Sequence, residues 1–340
     1  VPQAEIKLDS SKWSILAVTR FILAFIVMVG HISSAITLEH DWTRWGLWLN
    51  QGSAVFGFLI LSGYSIAASL DRETHGFYLR RIWRIYPVYI LSIVLSLFVG
   101  YLSDKKVVFP NGDTLFMPET TQVIATVFML QTFIVTPFGI NGPLWTLAVE
   151  WWNYVLAPIY KKTPNILLGG LILVSLIYNI KLHPSDISKI EHGGAFLCIS
   201  WYWLSGFAYF RSRRSPWGYV VLFLPVMMAY ASDVFVGRAI LIALVAIALA
   251  DEVSVPQMVQ KIFNWLGDLS YPLYVIQIPM MIMCNTWHLK SGVVICLITL
   301  CVAAAVYCCF EVPLRVVRMR VSDIIKRKQA CAHREKKLCD

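Results

Sequence analysis

The chain has 340 residues, 58% of them hydrophobic and only 14% charged, with a formal net charge of +9. A positive mean hydropathy over that length excludes an ordinary soluble domain and leaves a polytopic membrane protein. The basic excess does not indicate nucleic acid, because Lys and Arg gather at the ends of apolar runs and in the last 26 residues, RVVRMRVSDIIKRKQACAHREKKLCD, as positive-inside topology signals do.

In chain order, apolar runs fit to cross a bilayer lie at 14–36, 46–70, 86–102, 144–160, 165–181, 195–210, 217–231, 236–250, 266–285 and 292–311, with a weaker run at 121–136. Ten spans with both termini cytoplasmic place 71–84, Lys161, Lys162, 211–214, 251–265 and the tail on one side, while Lys105 and Lys106 fall outside. An eleventh span would split the basic stretches, so 121–136 reads as a re-entrant or interfacial segment. The first run lacks a basic leader region and a small-residue cleavage pattern, and is expected to remain as a helix. The eight cysteines have no metal-ligand spacing, so neither a metal site nor a disulfide framework is expected. The expectation is an all-α fold of ten transmembrane helices around a central cavity: one membrane domain over 1–320 and a basic cytoplasmic tail over 321–340.

The first run, SILAVTRFILAFIVMVGHISSAI, carries Arg20 and His31. Their separation of eleven residues is about 1,100° of helix, roughly 20° past three full turns, so they share a face about 16 Å apart along the axis. Either residue alone also fits a plain reading, with Arg20 reaching the headgroups and His31 bonding a neighbouring helix. Intramembrane ionisable groups are costly, and a shared stripe points to function.

Further along, FYLRRIWRIYPVY (77–89) sets Arg80, Arg81 and Arg84 at the cytoplasmic start of the third span. Two readings stand: a positive-inside anchor, or an anion clamp in which guanidinium forks and Arg20 hold a phosphate-bearing ligand. In GPLWTLAVEWWNYVLAPIY, Glu150 is the only acidic residue of its span, at a depth estimated to match His31. A carboxylate facing an imidazole would orient it as a general base, with Asn153 one turn on; a structural hydrogen bond between helices is the alternative.

These residues resemble the membrane-bound acyltransferase 3 family, whose members mainly O-acylate bacterial surface glycans, from about residue 13 to 320. Arg20 and His31 meet its Arg, ten residues, His pattern; VFGFLILSGYSIAASL, FYLRRIWRIYPVY, PLWTLAVEWWNYVLAPI, LGDLSYPLYVIQIPMM and FEVPLRVV follow its further motifs in order. One departure stands out: where the family often has His before Pro, this chain has Gln277, an amide that hydrogen-bonds but does not titrate. Some members carry an esterase-like domain after the last helix; here the membrane part is expected to act alone or with a separate partner.

The resemblance implies an acetyl-CoA or similar acyl-CoA donor, and as acceptor a hydroxyl of a surface glycan or lipid-linked sugar, in the bacterial inner membrane. It implies phosphate contacts from Arg20, Arg80, Arg81 and Arg84, a catalytic pair His31 and Glu150, and substrate contacts from Asn153 and Gln277. In that scheme His31 takes the proton of the attacking hydroxyl, with a transient acyl-His31 as a variant. The alternative is a transporter using the Arg20, His31 and Glu150 stripe as a proton or anion pathway. The chain shows no internal repeat or paired broken helices to support it.

Overall fold

Backbone groups withdrawn from water must bond to one another, and apolar runs meet that demand as helices. The computed structural model describes residues 3–36, 44–103, 105–182, 192–212, 215–231 and 237–315, and the expected tail at 321–340 lies outside them. In order come α1 (Gln3–Ile36), α2 (Arg44–Leu49), α3 (Gln51–Arg72), α4 (Phe77–Leu102), α5 (Thr120–Val127), α6 (Leu144–Lys162), α7 (Asn165–Leu182), α8 (Gly194–Ser212), α9 (Pro216–Ala231), α10 (Ile240–Leu249), α11 (Gln257–Thr286) and α12 (Gly292–Val306). A π-helical turn, Tyr307–Glu311, continues α12.

Among the described residues, five helical stretches are long and apolar enough to cross a membrane: Ser10–Ile36, Gln51–Arg72, Phe77–Leu102, Asn165–Leu182 and Gly292–Arg315. The apolar helices α9 and α10 are shorter, and α6, α8 and α11 dilute their apolar residues with tyrosine, tryptophan and charge.

The structure refines three expectations. The run 46–70 is not one helix: Asn50 adopts a left-handed φ of 69°, and its side chain accepts the Ser53 N–H, ending α2 and starting α3. The run 121–136 holds only the eight-residue α5, about 12 Å of helix, followed by turns and a bridge between Gln131 and Val135. The stretch with Lys105 and Lys106 forms an antiparallel hairpin, β1 (Lys106–Val108) with β2 (Thr114–Phe116), in which Val107 faces Leu115. Asn111, at its tip, donates to the Ser34 carbonyl near the end of α1.

Helix α3 lies at the centre: 78% of its apolar stretch is buried within the protein, against 28% for α7 and for the stretch containing α12. It meets α8 backbone to backbone, since a Cβ on Gly63 would lie 1.9 Å from the Trp203 carbonyl oxygen and one on Gly206 2.0 Å from that of Ile60. Small residues allow that approach, and it brings Trp203 against Ser62. A second close crossing joins α1 to α11 at Ala17 and Gly267. Pairings fix the directions: Arg20 meets Ser65 and Gly30 meets Gln51, so α3 runs against α1. Tyr154 meets Ser62 and Lys161 meets Leu70, so α6 runs with α3.

Candidate active site

A cavity of about 860 Å³, counting its open mouth, lies between α1, α3, α4, α6 and α11. Arg20, Ser65, Arg81 and Arg84 line one end; Ser62, Glu150 and Tyr154 the middle; Val55, Phe58, Thr146 and Tyr274 the other end. The arginine end opens into a wider recess walled by Trp13, Arg72, Glu73 and Arg80, which shares Arg20, Ser65, Arg81 and Arg84 with it.

The arginines divide into two groups. Arg80 is tied to its own loop, donating to Glu73 at 3.2 Å and to the Glu73 and His75 carbonyls. Arg72 lies over the Trp13 ring, 5.5 Å from its centroid. By contrast, Arg20 donates to Ser65 and Arg81 to Ser69 at 2.7 Å, while the Arg81 Nε is buried without an acceptor. None of Arg20, Arg81 and Arg84 has an ion-pair partner among the described residues. Three guanidinium groups converge on one cavity with no carboxylate in ion-pair contact, an arrangement whose chemistry suits an anion.

The structure does not bring His31 and Glu150 together. His31 Nδ1 lies 3.3 Å from Gln277 Oε1, and Glu150 accepts from Tyr154. The reason is helix register. Thr146 Oγ1 and Tyr274 OH meet at 2.6 Å, which aligns α6 with α11. From that contact Glu150 lies four residues along α6 towards the arginines, while Gln277 lies three residues along α11 in the opposite sense. At 1.5 Å per residue the two sites are separated by about 10 Å along the axis. Arg20 thus lines the cavity, whereas His31 lies beyond Tyr274 and is not among its lining residues.

Gln277 holds His31 in one orientation. Its amide nitrogen donates to the Tyr274 carbonyl at 2.9 Å, turning the amide oxygen to the imidazole. An acceptor there places the ring hydrogen on Nδ1 and leaves the lone pair on Nε2. Asn153 is drawn elsewhere, donating to the Val149 carbonyl at 2.9 Å and to Ser200 at 3.3 Å, and does not line the cavity.

Sequence reasoning missed Tyr154, Tyr271, Tyr274 and Thr146, all of which line the cavity. Tyr154 was within reach, since it follows Glu150 by one helical turn. The others are ordinary residues of amphipathic helices until α6 and α11 are set side by side.

Known proteins resemble this chain along most of its length. A family model described as Acyltransferase domain matches residues 14–311. The O-acetyl transferase of Shigella phage Sf6 is 27% identical over 297 residues, covering 79% of this chain and 85% of that protein. The ORF330 protein of Acidianus two-tailed virus, provisionally named an acetyltransferase, is 23% identical over 322 residues, covering 84% of this chain and 88% of that protein. No solved structure matches. The match runs through every helix that builds the cavity, and the chain belongs to the membrane-bound acyltransferase 3 family, as a multi-pass membrane acyltransferase.

Proposed function

We propose that the protein moves an acetyl or similar acyl group from acyl-CoA to a hydroxyl of a surface glycan or lipid-linked sugar. The observation that carries this reading is the trio Arg20, Arg81 and Arg84, which line one cavity without an ion-pair partner among the described residues. Phosphate oxygens suit those guanidinium forks, and the unpartnered Arg81 Nε supplies a further donor. The separation from Arg20 to His31, about 16 Å of helix, suits an extended pantetheine arm.

In this reading the recess beside Arg80 opens to the cytoplasm, ten spans surround the cavity, and both termini are cytoplasmic in a bacterial inner membrane. The acceptor approaches from the opposite side, where the hairpin joins the end of α1. His31, oriented by Gln277 in place of Glu150, takes the hydroxyl proton on Nε2 as the hydroxyl oxygen bonds to the thioester carbonyl carbon. The carbon–sulfur bond breaks, the proton passes to sulfur, and free coenzyme A leaves towards the arginines.

Purified protein with labelled acetyl-CoA and a lipid-linked sugar tests the reading: label should pass to the sugar and free coenzyme A should appear. Absence of both would refute it. Mass spectrometry of surface glycans from cells with and without the gene should show loss of an acetyl substituent, which names the acceptor.

A further inference from the structure

A hydrogen-bonded chain that no role above uses runs from behind the cavity wall to the middle of the cavity. Trp203 Nε1 donates to Ser62 Oγ at 3.2 Å, Ser62 Oγ lies 2.9 Å from Tyr154 OH, and Tyr154 bonds to Glu150. Its polarity follows from inventory. An indole N–H only donates, so Ser62 accepts from Trp203 and has its own hydrogen to give. Tyr154 receives that hydrogen and passes its single O–H to Glu150. Reversing the chain from a protonated Glu150 would leave the hydroxyl hydrogen of Ser62 without an acceptor in a buried position.

We infer that Trp203, Ser62 and Tyr154 are positioning residues that hold Glu150 as an acceptor, and that Glu150 grips an N–H or O–H group on the ligand threaded past it. Glu150 lines the cavity, so lone pairs not taken by Tyr154 are available there. It is in no ion-pair contact with the arginines of the same cavity and is about 10 Å along the axis from His31, so its remaining lone pairs can accept from a ligand donor. On the acyl-CoA reading, on which this inference rests, that donor belongs to the pantetheine arm, whose amides and hydroxyl lie between the phosphates and the thioester.

The experiment compares binding of coenzyme A with binding of adenosine 3′,5′-bisphosphate, which has phosphates but no arm, to purified protein in detergent by calorimetry. Tyr154→Phe and Glu150→Gln should weaken coenzyme A by at least about tenfold and leave the bisphosphate unchanged. Ser62→Ala and Trp203→Phe should move coenzyme A affinity in the same direction by less. In turnover, Tyr154→Phe should raise KM for acetyl-CoA more than it lowers kcat. Retained bisphosphate binding verifies the fold of each variant. Unchanged coenzyme A affinity in both Tyr154→Phe and Glu150→Gln, or equal losses for the two ligands, would overturn the inference. A wild-type protein that binds neither ligand would instead refute the acyl-CoA reading itself.

Discussion

The two polar ends of α1 are built on opposite principles. Around Arg20, positive groups meet across α1 and α4 with hydroxyls as partners and no carboxylate in ion-pair contact. Around His31, a neutral amide meets the ring, and that amide is itself anchored on a backbone carbonyl. On the proposed reading, the end short of ion-pair partners receives an anion, and the end whose hydrogen bonds fix a ring in place presents a lone pair. The family often has a histidine where this chain has Gln277, and the amide reproduces the acceptor while removing a second titrating group.

The strongest way to break this contrast is His31→Ala, which should lower kcat by about 10²- to 10⁴-fold with little change in coenzyme A affinity, measured by turnover and calorimetry side by side. If activity survives, the lone pair at that end is not the base. At the other end, Arg81→Ala should weaken both coenzyme A and the bisphosphate by about ten- to a hundredfold, since charge-assisted bonds to phosphate are lost. A fall in kcat alone would place Arg81 in the chemistry instead.

Smaller effects sharpen the comparison. Gln277→Leu should reduce kcat about five- to tenfold by releasing the ring, and Gln277→His should recover part of the loss, because an imidazole nitrogen can also accept. Equal rates in the leucine and histidine variants would show that ring orientation is set by other groups. The smallest change is expected for Arg80→Ala, within about twofold for coenzyme A binding, because Arg80 is already engaged by Glu73 and the carbonyls of its own loop. A large loss there would extend the anion site into the recess.

Much of the site was legible along single helices. Arg20 and His31 share a face because the period of one helix decides it, and Arg81 and Arg84 are neighbours by their spacing of three. Arg80 was grouped with them by the same logic. Its place in the first turn of α4, beside the preceding loop, let Glu73 capture it, which no count of residues reveals. Asn153 illustrates the same limit: it follows Glu150 by three residues, yet the approach of α8 gives it Ser200 as a partner.

The sequence by itself determined the membrane class, the predominance of helix, the family motifs and the angular positions of Arg20 and His31 on α1, all properties of local composition and of a fixed helical period. Only the tertiary structure decided that His31 meets Gln277 and lies about 10 Å along the axis from Glu150. Helical periodicity sets direction around an axis and says nothing about how far one helix slides along another. That offset was fixed by a few contacts between distant residues: the close crossing of α1 and α11 at Ala17 and Gly267, and the Thr146 to Tyr274 hydrogen bond between α6 and α11.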